Sequence, residues 1–396
     1  MTTAVPLRLP AHLDHPFSPQ GRLDPYPAYD WLRSHAPVHY DTMARLWLVT
    51  GHADCAAVLR DRAFSAAAGQ RGRARGEELP PSMLTTDPPD HTRLRTPGQS
   101  LLGPAAIASV AAEIAGDVDD LLERLAGETV VDAVEEIGGP LATSVFLRLF
   151  GLAESDRRTF TQLAQAASIN LDPLAGPQIA ALGRSAMGEL SRFLDAHCAV
   201  ARPSPLSRLA ADDRLTRPET LGVLGLAVVG GWRPLAETVG NALYWLLPRP
   251  RVLALLREGG DGAARTVMDE LLRLEAPIPF TARVALRNVR LPGGEVPEGA
   301  RVLAVLAAAN RDPAVFARPG ELVPDRTPNP HLAFGAGPHF CLGAQLVRQT
   351  GALLLARLAE RFPAASLADS RPSWAATLVP RRLRALPVNL GGGDGR

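Results

Sequence analysis

His331-Leu-Ala-Phe-Gly-Ala-Gly-Pro-His-Phe-Cys341-Leu-Gly-Ala-Gln-Leu346 places two turn-permitting glycines, two histidines and one cysteine ahead of a helical run. Gly335 and Gly337 open backbone angles that are closed to other residues. Gly343 lets the chain come close to something flat and large. Cys341 precedes the apolar run Leu342, Leu346, Gly351, Leu353 and Leu354. Backbone N–H groups and the helix dipole favour a thiolate at such an N-terminus. An electron-rich sulfur held this way suits an axial ligand to heme iron.

The bulk composition narrows what such a loop could serve. The chain has 396 residues and 46% hydrophobic content, ample for a large core. Its formal net charge is +1, which argues against a polyanion partner such as nucleic acid. All 42 basic residues are arginine, a sign of coding bias more than of function. Cys55, Cys198 and Cys341 are widely spaced and odd in number, so neither a disulfide framework nor a zinc pair is implied. A reducing cytoplasm fits that usage. The N-terminus is too short and too proline-broken for a signal or anchor, and no run of eighteen apolar residues follows. A soluble protein without a membrane partner is expected.

In chain order, a short helix begins near Asp24. Val38–Tyr40 and Leu46–Thr50 read as paired strands, and His52–Arg60 as a helix. Residues 64–83 form a long Gly/Ala/Arg-rich loop, either functional or a mobile surface loop. Asp90 reads as a helix N-cap, with His91 and Arg95 sharing one face at i, i+4. That face is either a solvated turn or a carboxylate site. Helical periodicity then runs from 104 to 200, broken by turns such as Gly138-Gly-Pro and by a short strand at Thr129-Val-Val-Asp. His197 and Cys198 point to different faces and do not form a ligand pair. Further on come a helix at 264–274, strands at 283–286, 289–291 and 301–306, and a proline-rich meander from Asn310 to Asn329. A helix from Gly343 to Phe362 and a strand-like tail at 378–388 complete the chain. One domain over 1–396 is expected, with disordered ends at 1–20 and 391–396.

The apolar run from Leu221 to Leu247 reads as a long central helix. Its middle holds Gly230-Gly-Trp-Arg233-Pro234. Proline inside a helix removes a backbone bond and costs about 3 kcal/mol. An arginine among apolar residues needs an anion or water. Two costly choices side by side point to a site, rather than to a surface kink with Arg233 in solvent.

Taken together, these residues resemble the cytochrome P-450 superfamily of bacterial heme-thiolate monooxygenases. The resemblance spans nearly the whole chain. The family pattern Phe-Gly-x-Gly-x-His-x-Cys-x-Gly is matched at Phe334, Gly335, Gly337, His339, Cys341 and Gly343. Glu270-Leu-Leu-Arg273 matches the Glu-x-x-Arg motif, whose implied role is a structural ion cluster with a meander arginine, here Arg326. His91-Thr-Arg-Leu-Arg95 matches the helix that holds the heme propionates, and Arg283 and His339 are implied as further partners. The implied fold is mainly α with a small β-rich lobe, a triangular prism. Heme b would lie between the helix at 221–247 and the cysteine-loop helix, with Cys341 as axial ligand. The thiolate pushes electron density onto the metal and favours O–O cleavage. Loop 64–83, the region 160–205, Pro277–Thr281 and Ala375–Leu378 would line the substrate pocket. Two electrons would come from a ferredoxin and its reductase, since the chain shows no flavin domain.

One feature departs from the family pattern. The distal helix usually carries an acid–alcohol pair that relays protons to bound dioxygen. Here Arg233 and Pro234 take those places, and Glu237-Thr238 lies one turn further, out of register. Arg-Pro resembles the fatty-acid peroxygenase and decarboxylase branch, in which arginine holds the substrate carboxylate and hydrogen peroxide is the oxidant. The cysteine loop, by contrast, has ordinary spacing. Three readings follow. The first, favoured, is an oxidative tailoring monooxygenase of secondary metabolism acting on a small, polar or anionic substrate. The second is a peroxide-dependent enzyme of a carboxylic acid, with Arg233 clamping the carboxylate. The third is a catalytically silent heme protein that binds a ligand or partner. The candidate catalytic set is Arg233, Pro234, Glu237 and Thr238.

Overall fold

The computed structural model describes residues 9–70, 81–172, 177–199, 204–369 and 373–391. The central helix is Arg217–Leu246. It starts at a capping box, in which the Glu219 carboxylate accepts from the Thr216 N–H at 2.9 Å. Pro218 occupies the first turn, where no N–H is needed. Apolar residues surround it on nearly every side, so it is buried along most of its length. Helix Gly139–Phe150 and the segment Pro250–Glu275, two helices that meet at a kink at Gly260 (φ +59°), pack against it. Pro250–Glu275 is in turn packed closely on the cysteine-loop helix Ala344–Arg361. One large apolar core joins these helices.

A five-stranded sheet forms the β-rich lobe. Its order is Val38–Asp41, Leu46–Val49, Arg301–Ala304, Thr281–Ala285 and Phe64–Ser65. The Leu46–Val49 and Arg301–Ala304 strands pair in parallel and the other neighbours antiparallel. Arg283 sits opposite Val302 in that register. A second, three-stranded sheet orders Val130–Asp132, Pro387–Asn389 and Ser366–Leu367. The mainly helical architecture with a small β lobe matches the expected fold class.

Helix His52–Arg60 and the hairpin that precedes it follow the sequence pattern closely. Other expectations need correction. Gly138-Gly-Pro is not a turn: residues Ala133–Gly138 form a short π-helix that runs straight into helix Gly139–Phe150. The Asp132 side chain accepts from the Val134 N–H, and Pro140 falls in the first helical turn, so glycine and proline cost little there. Asp90 is the first residue of helix Asp90–Leu102 rather than its cap, and its side chain makes no capping bond. Of the expected disordered N-terminus, residues 9–20 are placed. His15 Nε2 lies 2.7 Å from Asp41 Oδ2, and the buried Phe17 ring packs edge-on against Phe280. Residues 1–8, 392–396 and the middle of the 64–83 loop, residues 71–80, lie outside the described residues. Helices Asp90–Leu102 and Pro104–Arg124 make the one 35-residue stretch apolar and long enough to cross a membrane among the described residues. Gly103, extended at φ −80°, ψ 170°, divides it in two.

Candidate active site

The Glu270–Arg273 pair anchors the cysteine side of the site. The two residues sit one turn apart on helix Pro250–Glu275, both fully buried, with two nitrogen–oxygen contacts of 2.7 Å. Arg326 Nε joins Glu270 at 2.9 and 3.0 Å. The remaining Arg273 N–H groups donate to the carbonyls of Asn310, Pro319 and Glu321. A buried ion pair holds only when its other hydrogen-bonding positions are met, and here they are. The meander is thereby fixed, and it delivers the cysteine loop. Asn310 Oδ1 accepts from the Leu332 N–H at 2.6 Å. Asp269 holds Arg348 at 2.6 Å, and that guanidinium lies 4.7 Å over the Phe334 ring.

In the loop itself, Gly335 and Gly337 adopt φ of +69° and +70°, angles that other residues rarely take. A Cβ on Gly337 would also stand 2.4 Å from the Leu59 carbonyl oxygen. The Cys341 N–H donates to the Phe334 carbonyl at 2.9 Å, which closes the turn. Helix Ala344–Arg361 starts only after Gly343. Burial pushes the Cys341 thiol up, against the pull of the Gly343 N–H, Arg95 and Arg348. The backbone N–H and the two guanidinium groups favour the thiolate, in line with the sequence reading, while burial opposes it. A metal would have to drive that deprotonation, as metals do with coordinating thiols. Cys55 and Cys198 are packed in apolar cores, and the Cys55 thiol donates to the Val49 carbonyl.

Four basic groups gather beside this loop. The His91 and His339 rings lie 4.3 Å apart. Both His91 ring nitrogens are buried without a hydrogen-bond partner among the described residues. Burial, reinforced by the charges of Arg283 and His91, lowers His339 to about 4. Burial also lowers His91, with Arg95 adding to it. Arg283 is buried in its strand and reaches Thr281 Oγ1 and the Ala282 carbonyl, but no carboxylate within ion-pair distance among the described residues. Arg95 donates to the Phe340 carbonyl at 2.7 Å. Orphaned buried nitrogens and an unpaired buried guanidinium are costly unless an anion completes them. Two carboxylates would do so, which fits the propionates of a heme. A Cβ on Gly343 would meet nothing within 4 Å, so the loop leaves open space beside Cys341. A Cβ on Gly98, in helix Asp90–Leu102, would lie 3.1 Å from Met83, 3.4 Å from Leu342 and 3.6 Å from Val223 of the central helix, so this helix packs closely on both the cysteine loop and the central helix.

Pro234 sits inside the unbroken central helix. It has no N–H, so the Gly230 carbonyl receives no helical donor from it. Gly230 is exposed although the residues just before it are buried. A Cβ on Gly231 would lie 2.6 Å from Phe146 Cζ, which makes this glycine a packing requirement. Arg233 does not extend into solvent. Its side chain is 14% exposed, and its Nε lies 2.5 Å from Glu237 Oε1. Glu237 is 1% exposed, and neither of its oxygens receives a hydrogen bond of good geometry among the described residues. Burial raises it to about 7, against Arg233 and Arg382, with Glu135 adding to the rise. Thr238 donates its hydroxyl to the Pro234 carbonyl at 2.7 Å, so its proton is committed to the helix backbone and does not replace the missing alcohol. The candidate residues thus fall into two groups: the cysteine loop with its basic cluster, and the Arg233–Glu237 pair. Sequence reading missed Arg382 and Glu135, which lie about a hundred residues or more from Glu237 and belong to no motif.

A cysteine at a glycine-shaped turn, two histidines and two arginines gathered beside it and a long buried helix are the features of a heme-thiolate protein. Comparison with known proteins agrees. Residues 192–373 match the family model Cytochrome P450. The Biotin biosynthesis cytochrome P450 of Bacillus subtilis is 30% identical over 381 residues, covering 93% of this chain and 96% of that protein. The Cytochrome P450 monooxygenase PikC of Streptomyces venezuelae is 33% identical over 389 residues, covering 92% and 91%. The crystal structure of P450BioI in complex with hexadec-9Z-enoic acid ligated acyl carrier protein superposes with a TM-score of 0.86 at 29% identity, covering 93% of this chain and 98% of that one. The chain belongs to the cytochrome P450 family. It is an oxidoreductase of the monooxygenase type, and its members hold heme iron through an axial cysteine thiolate.

Proposed function

We propose that this P450 is a cytoplasmic oxidative tailoring enzyme, built as one oxygenase domain, that oxidises a small carboxylate-bearing secondary metabolite. Cys341 would ligate the heme iron. His91, Arg95, Arg283 and His339 would hold the propionates, and Phe334, Gly335 and Gly343 would shape the loop that carries Cys341. Heme, when bound there, supplies the activation of oxygen, with electrons from a ferredoxin and its reductase. Arg233 orients the substrate, because a guanidinium stays charged and grips a carboxylate through two N–H groups. The observation that supports this reading is a largely buried guanidinium on the central helix whose carboxylate neighbour, Glu237 at 2.5 Å, makes no hydrogen bond of good geometry among the described residues. Glu237 also keeps a titratable carboxyl on the central helix, so the substrate need not supply the only acid there. Relatives make acid-derived substrates reasonable: one is named for biotin biosynthesis, and one related structure carries a fatty acid ligated to acyl carrier protein.

The second reading, peroxide-dependent oxidation or decarboxylation of a carboxylic acid, is favoured by Arg233-Pro234 replacing the acid–alcohol pair. Turnover of a carboxylic acid panel decides between the two. Activity with ferredoxin, reductase and NAD(P)H but not with hydrogen peroxide alone supports the monooxygenase, and the reverse supports the peroxygenase. Failure with every oxidant points to a heme protein that only binds a ligand or partner. Separately, Arg233→Ala should weaken binding of acids by about tenfold or more while sparing neutral analogues. A uniform effect sinks the clamp.

A further inference from the structure

We infer that Glu237 is a built-in stand-in for the substrate's carboxylate: it holds the Arg233 guanidinium until an anionic substrate displaces it, and on displacement it takes up one proton from solvent. The inference rests on Arg233 being the carboxylate clamp.

The geometry carries it. Glu237 lies one turn after Arg233 on the same helix, with its Oε1 2.5 Å from Arg233 Nε. Yet the carboxylate, 1% exposed, receives no hydrogen bond of good geometry among the described residues. A carboxylate that served only structure would normally gather several donors, as Glu270 does from Arg273, Arg326 and the Val323 N–H. Glu237 is therefore held by charge with little fixed geometry, which makes it replaceable. The pair lies on the helix stripe that includes Gly230, which is exposed in the middle of this otherwise mostly buried helix.

The charges facing Glu237 are few. Arg233 comes from its own helix, Arg382 from just ahead of strand Leu383–Ala385, and Glu135 from the short π-helix Ala133–Gly138. An incoming carboxylate at Arg233 removes the nearest cation from Glu237 and adds a like charge beside it. Both changes favour the neutral carboxyl. Glu237 already titrates near neutrality at about 7, so the rise carries it across the working range of pH. Binding of an acid thus loads a proton onto the central helix, while binding of a neutral molecule does not. Selectivity for acids becomes pH-dependent: above about pH 7 the ionised Glu237 competes for Arg233, and below it the competitor is already neutral.

The test uses the ferric holoenzyme with decanoate and benzoate as probes, and decanol and benzyl alcohol as neutral controls. Binding is followed by the spin-state shift and by calorimetry in two buffers of different protonation heat. Wild-type affinity for the acids should fall about tenfold per pH unit above pH 7, with uptake of about one proton. Glu237→Gln should abolish the slope and the proton uptake and tighten acid binding about tenfold at pH 8, leaving the alcohols unchanged. Should the amide variant fail to fold, Glu237→Asp keeps the charge and should keep the slope. A slope that persists in Glu237→Gln, or a flat wild-type profile while Arg233→Gln still weakens acid binding, overturns the stand-in and leaves the clamp intact. Acid binding untouched by Arg233→Gln, or no response to either acid in wild type and Glu237→Gln, overturns the clamp and the stand-in together.

Discussion

Arg326 reaches back across 56 residues to place its Nε 2.9 and 3.0 Å from the two carboxylate oxygens of Glu270. Glu270 already carries Arg273, so one carboxylate ties two guanidinium groups from different parts of the chain. The meander between them ends in the cysteine loop. The chain leading into the cysteine loop is therefore tied to the Pro250–Glu275 segment by this ion cluster.

Glu270→Ala should accordingly damage more than its own contacts. It leaves Arg273, which is 1% exposed, as an uncompensated buried charge. Breaking such a pair costs about 3–5 kcal/mol. Chemical denaturation should show a loss of that size, and the purified protein should retain less heme. A variant of unchanged stability and full heme content would show that the cluster does not position the loop.

Spacing alone made legible only the Glu270–Arg273 pair, while its role in an ion cluster with Arg326 came from the family resemblance. Glu270 and Arg273 at i, i+3 mark one helical face, and the cysteine loop announces itself through glycines that only a tight turn needs. Helix His52–Arg60 was legible because its flanking turns are strong. Other parts were not. Gly138-Gly-Pro carries turn chemistry, but the cap from Asp132 and the neighbouring helices override it. The surroundings of Glu237 were invisible because Arg382 and Glu135 reach it through tertiary folding. The burial that opposes ionisation of the Cys341 thiol was not legible either, because the sequence displays the helix N-terminus but not the packing around it.

Cys341→His should abolish the carbon monoxide difference band characteristic of thiolate ligation. The loop backbone should survive, since the Cys341 N–H bond to the Phe334 carbonyl does not involve the side chain. A thiolate-type band in this variant would exclude Cys341 as the ligand, as neither Cys55 nor Cys198 is placed to replace it.

His91→Leu should separate stability from cofactor retention. Both His91 ring nitrogens are buried and unpartnered, and an unsatisfied buried polar group costs about 1–3 kcal/mol. The heme-free chain should gain about 1 kcal/mol or more from the apolar side chain, measured by denaturation. The holoenzyme should lose heme faster to a scavenging apoprotein. Loss of stability in the heme-free chain with unchanged heme release would mean that His91 serves packing and not a propionate.

Glu237 should impose a pH-dependent cost on folding. Burial raises its carboxyl from 4.5 to about 7 in the folded chain. Between those values the folded state keeps a proton that the unfolded state has released, so stability declines as pH rises through the window. The shift corresponds to about 3 kcal/mol, absent below the unfolded value and fully present above about pH 7. Glu237→Gln removes the titration but keeps the shape. Its stability relative to wild type, measured by denaturation at pH 5 and pH 8, should therefore rise by up to about 3 kcal/mol at the higher pH. A gain of equal size at both values would mean that Glu237 has an ordinary carboxylate titration in the folded protein and that Arg233 and Arg382 fully offset its burial.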